Sequence, residues 1–163
     1  MNHSIVPIAE SHFAGLYEAL DSVAREQKFL AFLKAPPREQ CYAFYRNIVD
    51  EDLCQFVALE DETVVGWCDI LPVIGESRAH IGVLGIGLLP QARHQGLGAE
   101  LLLATLAKAW TKDLTRIELT VRADNHNARA LYERFGFEFE GIRRNASRVA
   151  GEYQDMHAMA LLR

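Results

Sequence analysis

The feature that most constrains the fold of this sequence is the segment of residues 80–110, where an apolar run passes through a short polar turn into a long helical pattern. Residues 80–89 are apolar with interspersed glycines, as in a strand whose backbone is approached closely by another group. Residues 96–110 repeat apolar side chains at the spacing of one helix face. A strand that leads directly into a helix is typical of α/β proteins.

The rest of the sequence extends this alternation of strands and helices. Its periodicities and turn residues predict, in order, a strand, two helices, three strands, a helix, a strand, a helix and two strands. The predicted strands are residues 4–9, 54–59, 64–71, 80–89, 116–121, 139–149 and 152–161, and the predicted helices are residues 13–21, a segment around 41–48, residues 96–110 and a segment from 124 or 125 to 135. This order predicts a mixed α/β sheet with helices on its faces.

Length and composition indicate one domain over residues 1–163, with half of its residues hydrophobic. The 17 basic and 22 acidic side chains give a net charge of -5 without a long basic run, so we expect no nucleic-acid partner. Because the sequence lacks a secretory signal and a membrane-length apolar run, we expect a soluble, cytoplasmic protein with no membrane partner. Three widely spaced cysteines predict reduced, buried thiols and no metal site.

The turn before the third helix has the composition of an anion-binding site. Arg93 supplies a positive charge, while Gly96 and Gly98 let an anion approach the free N–H groups at the helix start. A nucleoside-triphosphatase loop would end in Gly-Lys-Ser/Thr, and a dinucleotide fingerprint would need a glycine where Pro90 stands. The alternative interpretation is an ordinary strand-to-helix turn with incidental glycines.

A second motif occupies residues 119–137, which read LTVRADNHNARALYERFGF. Together with the Arg-x-x-Gly-x-Gly of residues 93–98, it resembles the GCN5-related N-acetyltransferase (GNAT) superfamily. The later residues, EGIRR at 140–144 and GEYQD at 151–155, most resemble bacterial acetyltransferases of free amino acids. They are more distantly similar to enzymes that act on polyamines and on the N-termini of ribosomal proteins.

The resemblance implies a mostly antiparallel sheet of about seven strands with four flanking helices, and acetyl-CoA as the cofactor. In the family's fold the fourth and fifth strands splay apart, and the cofactor's pantetheine arm pairs with the fourth strand. The implied cofactor-binding residues are Ile86, Leu88, Arg93, His94, Gln95, Gly96, Leu97, Gly98, Ala99 and Asn127. Tyr132 matches the family's general acid, although by itself it also fits the apolar face of a helix.

The implied reaction is direct attack of a neutral amine on the thioester, with no acetyl-enzyme. Many relatives carry a glutamate base on the fourth strand, and the matching position here is Val83. The base therefore stays open among the following candidates and a chain of ordered water: His80, Asp69, Glu118 and Glu26. Cysteine carriers are disfavoured, because apolar surroundings raise a thiol pKa.

The acceptor pocket is predicted from residues 22–33, the hairpin around Trp67 and the last strands. Its candidate residues are Glu26, Phe29, Trp67 and Tyr153. We favour a small amine-bearing metabolite such as an amino acid. The alternatives are a protein N-terminus, a polyamine, an aminoglycoside, a module that binds acyl-CoA without turnover, and a general nucleotide-binding module. The resemblance also favours a homodimer.

Overall fold

The computed structural model describes residues 2–163. Within them the predicted order of elements is confirmed. The strands are β1 His3–Pro7, β2 Cys54–Glu60, β3 Thr63–Pro72, β4 Ile81–Leu88, β5 Arg116–Arg122, β6 Glu138–Val149 and β7 Glu152–Leu162. The helices are α1 Phe13–Arg25, α2 Arg38–Asp50, α3 Leu97–Trp110 and α4 His126–Arg134.

The strands form a seven-stranded sheet in the order β1-β2-β3-β4-β5-β7-β6. Neighbouring strands are antiparallel except β4 and β5, which are parallel. This parallel pairing joins only residues 81–83 to residues 116–118, and the two strands then separate. The predicted mixed sheet, with a splay between its fourth and fifth strands, is therefore confirmed.

Each face of the sheet carries its own hydrophobic core, because successive side chains of a strand point to opposite faces. The neighbouring residues Trp67 and Cys68 of β3 illustrate this division. Trp67 packs with α1 and α2, whereas Cys68 packs with α3 and with Tyr132 of α4. The sheet therefore separates the α1–α2 side from the α3–α4 side, and the splay is where the two sides communicate.

The first helix is longer than predicted. The sequence pattern ended it at Asp21, but α1 continues to Arg25, and residues 26–37 form an irregular segment. Asp21 does not break the helix, since its carboxylate accepts hydrogen bonds from Arg25 Nε at 2.8 Å and from the Ala35 amide at 2.9 Å. The same carboxylate therefore supports the helix end and anchors the returning chain.

None of the helices in the described part of the chain has the length and apolarity needed to cross a membrane.

Candidate active site

The turn between β4 and α3 leaves a row of backbone N–H groups without partners. A short 3₁₀ turn, Pro90–Ala92, is followed by left-handed backbone at His94 (φ 60°) and Gly96 (φ 85°) before α3 begins. Within residues 2–163, no acceptor is found for the amides of residues 94–99. Free amides at the start of a 14-residue helix favour an anion, so the geometry is that of a phosphate site.

Two residues of this turn contribute only their backbone to that surface. Leu97 is 1% exposed and packs into the core, and the Gln95 side chain donates to the Gln91 carbonyl oxygen at 2.7 Å. Gly98 has its own reason for lacking a side chain, since a Cβ there would lie 3.3 Å from Leu131 and 3.6 Å from Leu88. The opening above the helix start therefore stays narrow but clear.

A cleft of about 980 Å³, here called the main cleft, runs from this turn along the splayed part of β4 to α4. It brings together most of the residues predicted to bind a cofactor. Those that line it are Ile86, Leu88, Arg93, His94, Gly96, Gly98, Ala99 and Asn127, together with Tyr132. A cavity of this size that starts at a phosphate-type site is suited to an elongated ligand with an anionic end.

The guanidinium of Arg93 does not point freely into the main cleft. Its Nε donates to the Leu88 carbonyl oxygen at 3.0 Å, and its two terminal nitrogens donate to the carboxylate of Glu26 at 2.9 and 2.5 Å. It also stacks over the Phe29 ring, with 4.8 Å from Cζ to the ring centre. Arg93 thus keeps part of its donor capacity for a ligand and uses the rest to hold the segment after α1.

Tyr132 lies at the far end of the main cleft with its ring buried. The side chain is 6% exposed and packs on Phe137, with ring centres 5.8 Å apart. Burial, with a smaller contribution from Cys68, raises the pKa of the Tyr132 hydroxyl above its usual value. The group therefore stays protonated at neutral pH, as a proton donor requires.

The start and end of α4 hold Tyr132 in place. Asn125, rather than Asp124, caps the helix by accepting a hydrogen bond from the Ala128 amide at 3.2 Å. Gly136 (φ 94°) ends it in a left-handed conformation, as the sequence predicts. Asn127 consequently lies in the first turn of α4 and faces the main cleft.

A second cavity of about 420 Å³, here called the side cavity, lies between β3 and the α1–α2 side. It adjoins the main cleft, because four residues line both: Leu30, Ala31, Gly85 and Ile86. Of the predicted acceptor residues, Phe29 lines the main cleft and Trp67 lines the side cavity. The structure does not bring the other two to either cavity. Glu26 is bound to Arg93, and Tyr153 is 55% exposed and packs against Arg148.

The glycines of β4 make room for side chains of β3. A Cβ at Gly87 would clash with the Trp67 ring, and one at Gly85 would lie 3.3 Å from Asp69 Oδ1. The close approach that the sequence predicts for this strand therefore occurs, and the approaching groups include Trp67 and Asp69 of the neighbouring strand. The carboxyl of Asp69 consequently reaches the point where the two cavities meet.

Among the four candidate bases, Asp69 is the one that the structure places at this junction. His80 is exposed before β4, Glu118 accepts a hydrogen bond from Arg116 at 2.8 Å, and Glu26 is bound to Arg93. Val83, at the position of the family's usual glutamate, is 44% exposed and offers no titratable group. Burial raises the pKa of Asp69 from 3.8 to about 7.

Sequence reasoning missed two residues that face the side cavity, Gln55 of β2 and Tyr45 of α2. A signal for the first was present, since Gln55 is a polar residue inside an otherwise apolar strand pattern. Tyr45 carried no such signal, because an aromatic residue on the apolar face of a helix is ordinary core material.

The three cysteines are free and buried, as predicted. Burial raises the pKa of Cys41, Cys54 and Cys68 above the usual thiol value. A thiol with a raised pKa is a poor nucleophile at neutral pH, so these side chains do not suit a covalent acyl carrier.

Comparisons with known proteins agree with this geometry. The Acetyltransferase (GNAT) family model matches residues 17–137. A Bacillus subtilis protein assigned as a ribosomal protein bS18-alanine N-acetyltransferase is 31% identical over 111 residues, which cover 68% of this chain and 71% of that protein. An L-amino acid N-acetyltransferase of Escherichia coli is 28% identical over 147 residues, which cover 88% of this chain and 90% of that protein.

Solved structures show the same fold. A GNAT-family acetyltransferase from Streptococcus pneumoniae superposes with a TM-score of 0.92 at 24% identity, over 99% of this chain and all (100%) of that chain. A Salmonella typhimurium protein assigned as an acetyltransferase, solved with its cofactor acetyl-CoA, superposes with a TM-score of 0.92 at 15% identity. That match covers 99% of this chain and 94% of the other.

Proposed function

This chain belongs to the GNAT acetyltransferase family and is an N-acetyltransferase that uses acetyl-CoA, and from that premise we propose that its acceptor is the primary amine of a small metabolite, such as an amino acid, which attacks the thioester directly. The observation that carries this proposal is the continuity of the main cleft. It joins the unpartnered amides of residues 94–99 to the proton-bearing Tyr132 along the open edge of β4.

The residues of the main cleft fit the cofactor. The N–H groups at the start of α3, with the remaining donors of Arg93, would hold its pyrophosphate. The open edge of β4 around Ile86 and Leu88 would pair with its pantetheine arm, because this edge loses its partner where β5 departs. Asn127 would contact the same arm from α4. When bound, acetyl-CoA supplies the acetyl group as a thioester open to nucleophilic attack.

Tyr132 is the proposed general acid. Its buried hydroxyl retains its proton and faces the main cleft, so it can protonate the departing sulfur. A backbone N–H of the splayed part of β4 is the proposed donor to the carbonyl oxygen, in the manner of an oxyanion hole.

Direct attack by the amine agrees with the chemistry of the site. The raised pKa values of the three cysteines disfavour a thiolate that would first take up the acetyl group. The meeting of the two cavities at Gly85 and Ile86 instead allows the acceptor to approach from the α1–α2 side while the donor occupies the main cleft.

A second candidate acceptor is a protein N-terminus. It is favoured by relatives whose names include the acetylation of ribosomal protein bS18, among them an enzyme from Salmonella typhimurium that is 37% identical over 79 residues. The cytoplasmic location and the homodimer also stay predictions. The edge strand β6 supports the latter, because its Phe139 and Ile142 are 46% and 56% exposed.

The deciding experiment combines cofactor binding with an acceptor screen. We expect acetyl-CoA to raise the melting temperature, since it binds the folded state selectively, and ATP and NAD to leave it unchanged. Release of CoA thiol is then measured with amino acids, polyamines, aminoglycosides and short peptides. A melting temperature that responds to ATP or NAD and not to acetyl-CoA contradicts the assignment, and turnover confined to peptides favours the second candidate.

A further inference from the structure

The side cavity contains polar groups that have no partner in the described part of the chain. Tyr45 and Gln55 are 3% and 2% exposed, and neither the Tyr45 hydroxyl nor the Gln55 Oε1 atom forms a hydrogen bond within residues 2–163. Both residues line the cavity, as does Asp69. Buried polar atoms are nearly always paired, so this cluster needs an explanation.

The strand register places two of these groups side by side. Gln55 of β2 lies opposite Asp69 of β3, and Asp69 lies opposite Gly85 of β4. Directly opposed residues of antiparallel strands share one face of the sheet, so the three form a row across it. Because Gly85 has no side chain, the row ends in an open space beside the Asp69 carboxyl. That space is where the side cavity joins the main cleft.

The cluster has the hydrogen-bonding character of an amine site. An amide oxygen, a carboxylate and a phenol oxygen can each accept a hydrogen bond, and an ammonium group offers three N–H donors on one atom. A ligand of this kind would satisfy buried acceptors that otherwise destabilise the fold.

We propose that the side cavity is the acceptor site, in which Gln55, Asp69 and Tyr45 bind the amine nitrogen and Asp69 is the base that takes its proton. The inference deepens the proposed acetyl transfer and rests on it. Asp69 on β3 then replaces the glutamate that many relatives carry on β4, where this chain has Val83.

The proton and electron balance of the step is complete with two side chains. The ammonium gives one proton to the Asp69 carboxylate, and the freed lone pair forms the C–N bond to the thioester carbonyl carbon as the C–S bond breaks. The departing sulfur takes the Tyr132 proton. The second proton lost by the nitrogen, as the amide forms, restores the Tyr132 hydroxyl through solvent, and Asp69 returns its proton to solvent.

The walls of the side cavity identify the class of amine. Among the described residues that line it, Asp69 is the only one with a charged side chain, and none is Lys, Arg or His. The remaining walls are largely apolar or aromatic and include Leu16, Leu20, Leu30, Phe32, Phe44 and Trp67. A carboxylate near the amine would have no cation to pair with there. The cavity therefore suits an alkyl or arylalkyl primary amine without an α-carboxylate.

The titratable groups around Asp69 do not compete with it near neutral pH. They are Tyr45 and Cys41 of α2 and Cys68 of β3, and burial raises the pKa of all three. The lining residues of α1, β2, β4 and the segment after α1 carry no titratable side chain. Because the pKa of Asp69 is raised to about 7, its carboxylate form, and with it kcat/KM for the amine, is lost as the pH falls below that value.

The first test compares 2-phenylethylamine with L-phenylalanine, which differ by the carboxylate alone. CoA thiol release should give a kcat/KM at least about tenfold higher for the amine without the carboxylate. Equal or better use of phenylalanine overturns the assigned class of acceptor.

The second test uses variants of the cluster. Asp69→Asn should lower kcat/KM for 2-phenylethylamine about 100-fold and remove the fall in rate below pH 7, as expected for loss of a general base. Gln55→Met should raise KM about tenfold with little change in kcat. Asp52→Asn, the same chemical change at a carboxylate that is 71% exposed, is the matched control and should behave as the wild type.

A binding measurement separates this inference from the proposed function. Calorimetric titration of 2-phenylethylamine into the protein with CoA present should show binding that Asp69→Asn abolishes and Asp52→Asn preserves. If acetyl-CoA binds and amines are acetylated while Asp69→Asn and Gln55→Met match the wild type, the acceptor site is wrong and the transferase assignment stands. If acetyl-CoA has no effect, the proposed function fails, and the amine titration still decides the site.

Discussion

Arg93 and Glu26 form a two-point ion pair between the turn before α3 and the segment after α1. The Nη1–Oε1 distance is 2.9 Å and the Nη2–Oε2 distance is 2.5 Å, with side-chain exposures of 24% and 26%. Since residues 27–33 contribute walls to both cavities, this pair connects the phosphate-type turn to the cover of the site.

We expect this pair to stabilise the fold measurably. In a double-mutant cycle of Glu26→Gln and Arg93→Met, urea unfolding should give a coupling free energy of about 1–2 kcal/mol, because the pair is two-point and partly buried. The pair Arg46–Glu10 has a similar two-point geometry but exposures of 47% and 72%, and it should give less than about 0.5 kcal/mol. Equal coupling in the two cycles would contradict the role assigned to burial.

Gly98→Ala should weaken CoA binding without unfolding the protein. Alanine favours a helix by about 1 kcal/mol over glycine, which offsets the tight contact of its Cβ with Leu131. The added methyl group narrows the anion site, so the Kd for CoA in calorimetry should rise about tenfold. Pantetheine, which lacks the pyrophosphate, should bind both proteins alike, and Gly141→Ala, with open space around its Cβ, serves as the control. Unchanged CoA affinity would show that the pyrophosphate binds elsewhere.

Tyr132→Phe should lower kcat about 100-fold or more while the acetyl-CoA-induced rise in melting temperature is retained. Only the hydroxyl is removed, and the ring contact with Phe137 persists. Tyr42→Phe on α2 is the matched control and should keep full turnover. Wild-type kcat in the Tyr132 variant would exclude this hydroxyl from proton transfer.

Asp69→Asn should stabilise the protein at alkaline pH, since burial raises the folded-state pKa of Asp69 from 3.8 to about 7. Between these values the unfolded chain ionises first, so the wild type loses stability as the pH rises, and the cost is fully present above about pH 7. At about 1.4 kcal/mol per pKa unit, less the effect of the remaining contact with the cavity, we expect a gain of about 1–3 kcal/mol at pH 8.

The same gain should shrink to less than half at pH 5, where the folded carboxyl is already protonated. Urea unfolding at the two pH values measures the difference. A gain that does not change with pH would mean that the carboxyl is not perturbed by burial.

Local patterns were sufficient for most of the fold. The order of strands and helices, the anion-binding turn and the Gly136 helix end all follow from residues close together in sequence, because periodicity and turn chemistry act over a few residues. The end of α1 was mispredicted for the converse reason. Its support comes from Ala35, which binds Asp21 across 14 residues.

The sequence by itself determined that this chain forms an α/β sheet with a phosphate-type turn and a tyrosine at the end of the following motif. Only the tertiary structure decided that Arg93 is paired with Glu26, and that Asp69, rather than the other three candidate bases, stands at the splay beside Gln55 and Gly85. These relationships depend on the register between strands and on the path of the segment after α1. Such contacts join residues far apart in sequence, where no local periodicity specifies which side chains meet.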